Sequence, residues 1–398
     1  MDTEQKVFRK DIKSLQVYNP ENFMYPPVIR LNSNDQLNIN FDILGDEAEY
    51  LKFKLIHCNA DWKPSSLMEN EYLGGFNEEY VDDFAFSSNT YIHYVNYNIS
   101  IPNSKIPIIH SGNYLLQVFP EDQPDEIILQ ARFSVYDSIS NIQGGITTRT
   151  DKGVNSEYQQ LFLNIDISNV NNINPYQDLL VTITQNNRPE TQKIIKNPIK
   201  VQGNQVIFEH VPDLIFEAGN EYRRFETVRS DYSGMNVDSV KFLDGSWHAW
   251  LKNDKARNNQ DYYFDRTQNG RYKIDEYNSS NPDLGADYIM VHFTMDPSEN
   301  IKGKIYLEGD FTNNLLGETY RMKYDGSTGK FHNALLLKQG SYNYQYTVIP
   351  EDGGKPSSKF IEGNKFQTNN EYLIKVFLRL PGARADQLIG FTVLNPIS

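Results

Sequence analysis

Apolar and polar residues alternate with a period of two along most of this chain. In Leu37-Asn38-Ile39-Asn40-Phe41-Asp42-Ile43 the alternation is unbroken, and it recurs in Leu51-Lys52-Phe53-Lys54-Leu55. Successive side chains of a strand point to opposite faces, so each segment offers one apolar face to a core and one polar face to water. The same reading predicts strands over Tyr114 to Phe119, Ile128 to Tyr136, Leu161 to Ile167, Leu179 to Thr184, Val206 to His210, Tyr288 to Met295, Lys304 to Leu307, Tyr342 to Ile349 and Tyr372 to Leu380. Clusters of Gly, Pro, Asn and Asp separate them, which is turn chemistry. No stretch carries a long amphipathic helical stripe. The pattern predicts an all-β protein of tandem antiparallel β-sandwich domains of the Ig, fibronectin or early-set kind.

With 398 residues the chain has length for two or three domains. The expected division is an N-terminal acidic sandwich over 11–137, a middle sandwich over 138–283, and a C-terminal early-set-like sandwich over 284–398. Residues 137–155 read as a linker or a first edge strand. Asn269-Gly270 stands between Tyr262-Tyr263-Phe264 and Tyr272-Lys273-Ile274, a hairpin signal, so a long hairpin or protruding loop is expected near 252–278.

Composition removes several functions. Aromatic residues make up 13% of the chain, with 26 Tyr and 22 Phe, which favours strands. No apolar run approaches the length of roughly 18 residues that spans a bilayer as a helix. Cys58 is the only cysteine, so no disulfide forms within the chain. The net charge of −14 makes a poor ligand for nucleic-acid phosphates or anionic lipids. Residues 1–137 hold 10 Lys/Arg and 21 Asp/Glu, so most of the excess is N-terminal, where it suits choosing or repelling a partner. The opening residues, Met1 to Lys10, contain no hydrophobic signal core. That fits a cytosolic chain or a mature exported one with its signal removed.

Candidate chemistry is sparse. There is no G-x-S-x-G elbow, no glycine-rich phosphate loop and no chelating His or Cys spacing. No catalytic residue, metal site or cofactor is expected. His57 and Cys58 adjoin on a strand and point apart, so Cys58 is read as an inert, buried thiol. Glu69, Glu71, Glu78, Glu79, Asp82 and Asp83 form the densest acidic run, with no Lys or Arg between them. It is a solvated loop or a partner-selective patch. Trp62 is expected to pack across a sandwich end, and Trp247 and Trp250 to fill a core.

The N-terminal segments "SLQVYNP" (14–20), "PVIRLNSNDQLNINFD" (27–42), "YLKFKLIHCNADWKPSSLMENEYLGGFNE" (50–78) and "SGNYLLQVF" (111–119) resemble the type IX secretion system plug protein family. The signature is carried by His57, Cys58, Asp61, Trp62, Pro64, Ser65, Glu71, Tyr72, Gly75 and Phe76, of which His57, Cys58, Asp61, Trp62, Pro64, Tyr72, Gly75 and Phe76 are read as structural. The resemblance covers residues 11 to about 280. It implies a non-enzymatic plug subunit without cofactors, located in the periplasm at the inner face of the outer membrane. Its partner would be the large outer-membrane β-barrel translocon, whose periplasmic opening it would seal when no substrate is in transit. The alternative is a carbohydrate-binding β-sandwich protein of a periplasmic or cell-surface complex. The segments at 304–314, 321–348 and 361–379 are similar to early-set, glycogen-binding-type sandwiches. Residues 284–398 contain no tryptophan for a sugar platform, so only the fold analogy carries over.

Overall fold

The computed structural model describes residues 2–297 and 301–395. Met1 and the last three residues of the expected C-terminal unit lie outside the described residues. The strands named above all form, and they assemble into three sandwiches, each built of two facing sheets. Between the strands of the described residues, pairing is antiparallel except at two places. Val28–Arg30 runs parallel to the strand Leu129–Tyr136, and Ser246–Leu251 runs parallel to Tyr288–Met295.

The first sandwich is contiguous. One sheet has the order Lys6–Val7, Leu129–Tyr136, Gly112–Pro120, Leu51–Cys58, Glu79–Tyr80. The facing sheet has the order Ile12–Tyr18, Leu37–Leu44, Tyr94–Ile101, Asp83–Phe86. The alternation explains the core directly: Leu37, Ile39, Phe41 and Ile43 enter it from one sheet, and Leu51, Phe53 and Leu55 from the other. Each such side chain contributes about 1.5–3 kcal/mol through burial.

The other two sandwiches do not divide at 283–284. In the middle one, the sheet Asn141–Thr147, Tyr158–Asp166, Gln205–Phe208, Lys200–Gln202 faces a sheet of order Lys193–Ile195, Leu179–Gln185, Tyr372–Leu378, Gln387–Leu394. Leu179–Gln185 pairs along its whole length with Tyr372–Leu378, and Ile183, Val181, Ile374 and Val376 share one core. The third sandwich fills the interval. Arg223–Glu226, Gly340–Pro350, Tyr272–Ile274 and Gly303–Glu308 make one sheet. Val237–Leu243, Ser246–Leu251, Tyr288–Met295, Lys330–Lys338 and Lys323–Asp325 make the other. The third domain is therefore an insertion into the middle one. The expected boundary falls inside the third core, because the strand that completes the middle sheet lies beyond the whole insert. The segment 137–155 resolves as the edge strand Asn141–Thr147 followed by a small turn.

The long hairpin expected near 252–278 is absent. Asn269 and Gly270 do make the turn, with φ of 51° and 91°. The strand after it, Tyr272–Ile274, pairs instead with the central strand of its sheet, Tyr272 opposite Tyr342. Distant side chains hold the backbone that precedes the turn. Lys365 Nζ donates to the carbonyls of Asn258 and Gln260, and Asn343 Oδ1 accepts from the Gln268 amide.

The N-terminal and inserted domains are joined by a buried polar knot. Asp42 Oδ2 accepts from Lys338 Nζ at 2.7 Å and from the Tyr288 hydroxyl at 2.6 Å, and its Oδ1 accepts from Asn96 Nδ2 at 2.7 Å. The side chains of Asp42 and Lys338 are 0% and 1% exposed. Lys338 also lies 4.1 Å from the centre of the Tyr94 ring, whose hydroxyl reaches the Ala286 carbonyl.

Candidate functional site: the signature loop and the domain junction

The signature begins at the end of the strand Leu51–Cys58. His57 is buried, and its two ring nitrogens are committed. Nε2 lies 3.1 Å from the Ser111 carbonyl, which only accepts, so Nε2 carries the proton and Nδ1 accepts from the Ser65 hydroxyl at 2.9 Å. Burial pushes the imidazole down to about 4. The ring occupies the space beside Gly112, where a Cβ would come 2.1 Å from Nε2. Cys58 is a buried free thiol, pushed up to about 12 by burial. It bridges to Pro64 across a tight turn.

That turn docks on the middle domain. The Ala60 amide donates to Asp386 Oδ2 at 2.9 Å, Asn59 Oδ1 accepts from Arg379, and Arg384 pairs with Glu71. Ala60 packs with Phe377 and Leu388. Asp61 is ion-paired to Lys63 at 2.9 Å. Trp62 adopts a left-handed backbone, φ 64°, a strained state for a bulky residue. Its indole lies within cation–π reach of two cations, Arg132 at 4.3 Å and Lys375 at 5.2 Å from the ring centre. It sits where domains meet, rather than capping one sandwich.

Beyond the turn, Tyr72 donates to the Leu55 carbonyl. Asn77 closes the same strand edge with both ends of its amide, accepting from the Leu55 amide and donating to its carbonyl, each at 2.8 Å. Gly75 runs so close to the neighbouring loop that a Cβ would lie 2.3 Å from the Lys105 carbonyl. Phe76, expected to be structural, is 91% exposed, and Met68 and Ile109 are exposed on the same pair of loops. The six acids are largely partnered. Glu69 accepts from Asn77, Glu71 from Met68 N and Arg384, and Glu78 from Lys52 at 2.9 Å. Lys105 bridges Glu79 and Asp82, and Asp83 accepts from Asn98. The patch is less negative than its composition implies.

Sequence reading missed Asn77, Arg132, Lys375 and Asp386. Asn77 and Arg132 lie within the first domain. Lys375 and Asp386 lie across the whole insert from Trp62, and nothing local points to them. Trp247 and Trp250 belong to the inserted domain, so that domain does contain tryptophan. Trp250 stacks on His292 at 4.6 Å and 3°, and Trp247 packs edge-on against Phe242 at 5.1 Å, which itself meets Tyr91. Among the described residues there is no cluster of three or more His, Cys, Asp or Glu suited to a metal ion, and no helix is long and apolar enough to cross a membrane.

Three all-β bodies joined through buried polar contacts make this a multi-sandwich protein. The model of the type 9 secretion system plug protein first domain matches residues 12–137. A solved structure of a hypothetical protein from Parabacteroides merdae is 39% identical, covers 99% of this chain and 100% of that one, and superposes with a TM-score of 0.96. The chain belongs to the type IX secretion system plug protein family, a family of structural rather than enzymatic proteins. No curated protein matches it. A Pseudomonas fluorescens alkylpurine DNA glycosylase bound to DNA (11% identity, 31% of this chain and 30% of that one, TM-score 0.19) and a collagen adhesin from S. aureus (8% identity, 96% and 91%, TM-score 0.12) are too distant to bear on fold or function.

Proposed function

We propose that this protein is a non-enzymatic plug, held in the periplasm against the outer-membrane barrel of the type 9 secretion machinery, which seals the barrel's periplasmic opening when no substrate is in transit. The observation that carries this reading is the plug-family match over residues 12–137. Its physical support is stiffness. A stopper must keep its shape without a ligand, and here the domains are tied by the Asp42–Lys338–Tyr288 knot on one side and the Ala60–Asp386 and Asn59–Arg379 contacts on the other. The surface that meets the barrel carries exposed Phe76 and Met68 beside Glu78 and Asp82, a mixed apolar and charged patch of the kind that releases as well as binds. Conductance of the purified barrel in planar bilayers tests the role. Adding this protein should close the channel from the periplasmic side, and unchanged conductance would refute it. Asp82→Asn with Asp83→Asn should weaken docking modestly, and Phe76→Ser by about tenfold or more if that ring is an anchor.

A further inference from the structure

The three domains meet around a cavity of about 110 Å³. Trp62, Arg132 and Ser134 line it from the first domain, Lys375 from the middle domain, and Arg271 and Asn313 from the insert. Arg271 is paired with Glu371. Arg132 and Lys375 have no carboxylate within ion-pair distance among the described residues, although both lie within cation–π reach of one indole and the charge of Arg132 acts on Lys375. Lys375 Nζ donates to Ser134 Oγ at 2.8 Å and stands 3.5 Å from Asn113 Oδ1, while Arg132 donates to the backbone carbonyl and hydroxyl of Thr3. Asp2 and Glu4 attract Arg132 only from a distance, and the cavity's own acid, Asp310, accepts from Asn314 and faces Arg271. Two like charges in a partly buried pocket are costly unless something compensates them. That cost is visible in the groups themselves. Burial, with Arg132 adding to it, brings the Lys375 ammonium down to about 7, and burial brings Arg132 down to about 10.

We propose that this junction is a binding site for a small oxyanion, a carboxylate or a phosphate group, held between the Arg132 guanidinium and the Lys375 ammonium against Trp62. Guanidinium supplies a planar fork for two oxygens, ammonium a point charge, and the indole a flat wall for the ligand's carbon skeleton. Trp62, left-handed in its backbone, holds that wall within cation–π reach of both groups. A bound anion favours the charged lysine, so binding above neutral pH takes up a proton. The site spans the first and middle domains, so its ligand also clamps them together. This inference stands apart from the plug reading.

The full chain carrying Trp247→Phe and Trp250→Phe keeps Trp62 as its only tryptophan fluorophore. Titrated with succinate, citrate and inorganic phosphate, it should show a saturable change with Kd below about 1 mM for at least one of them. The arm that saturates identifies the ligand class. Calorimetry at pH 8 in buffers of different ionisation enthalpy should show proton uptake. Lys375→Met should weaken binding tenfold or more while raising the melting temperature of the ligand-free protein, because it removes an uncompensated charge. Arg132→Met should also lose binding, and the lysine variant decides the matter if the arginine variant does not fold. No saturable response to any of the three anions, or equal affinity in folded Lys375→Met, would overturn the proposal.

Discussion

His57 shows how a single side chain can be both invisible to catalysis and central to stability. Its ring is neutral in the fold, with both nitrogens occupied, and is held at about 4 against an ordinary value of 6.5. In the unfolded chain it charges below 6.5, whereas in the fold it does not until near 4. Stability is therefore lost as pH falls through that window, by up to about 3 kcal/mol. Urea unfolding at stepped pH should show this loss. An imidazole NMR titration should place His57 below pH 5, and a midpoint above 6 would contradict the assignment. The neighbouring Gly112→Ala change drives a methyl into the same ring and should cost about 1–3 kcal/mol, read as a lowered denaturation midpoint. Lys338 poses the opposite problem, a charge that is buried but paired. Lys338→Met leaves Asp42 uncompensated and should cost about 3–5 kcal/mol. The double change with Asp42→Leu should recover much of that. A double-mutant cycle showing simple additivity would mean the pair is not coupled.

At the scale of strands and loops, the core of the inserted domain is pinned by Glu362. Burial opposes its ionisation, but the guanidinium groups of Arg223 and Arg257 outweigh that and hold it at about 2, while its Oε1 accepts from the Tyr346 amide. A depressed carboxyl contributes stability that is fully present above its ordinary 4.5 and is lost as pH falls toward 2. Glu362→Gln should be destabilised at pH 7 and should flatten the acid limb of the stability profile between those values. An unchanged limb would show the ion pairs to be energetically idle. The elements that sequence reading located are those whose own residues determine them: strands such as Leu37–Leu44 or Tyr288–Met295 carry their alternation internally. What it mislaid depends on distant partners. The Asn269-Gly270 turn formed without its hairpin because the strand after it, Tyr272–Ile274, pairs with Gly340–Pro350, far along the chain, and Asn343 of that strand takes the Gln268 amide before the turn. The signature loop was legible as a conspicuous pattern, yet its docking partners Asp386 and Lys375 were not, since contact across an inserted domain leaves no local trace.

For the whole molecule, the controlling fact is that one domain interrupts another. The two ends of the insert are fastened together. The Lys365 amide donates to the Gly219 carbonyl, the Gly219 amide to Asn364 Oδ1, and Asn370 Nδ2 to the Ala218 carbonyl. Residues 220–370 should therefore fold alone when excised, giving a cooperative melt and dispersed amide resonances. A chain ending at residue 371 should keep the first and inserted domains but lose the middle one, because half of its four-stranded sheet is gone. Limited proteolysis should then cut within 140–215 while sparing the rest, and uniform resistance would refute the assignment. The same topology orders events during synthesis. The strand Leu179–Gln185 emerges from the ribosome long before Tyr372–Leu378 exists, and it waits with one edge unpaired while a complete domain forms between them. The strands Tyr372–Leu378 and Gln387–Leu394 thus act as a clasp, and a nascent chain that stalls within the insert carries a half-built sheet ready to stick to its neighbours.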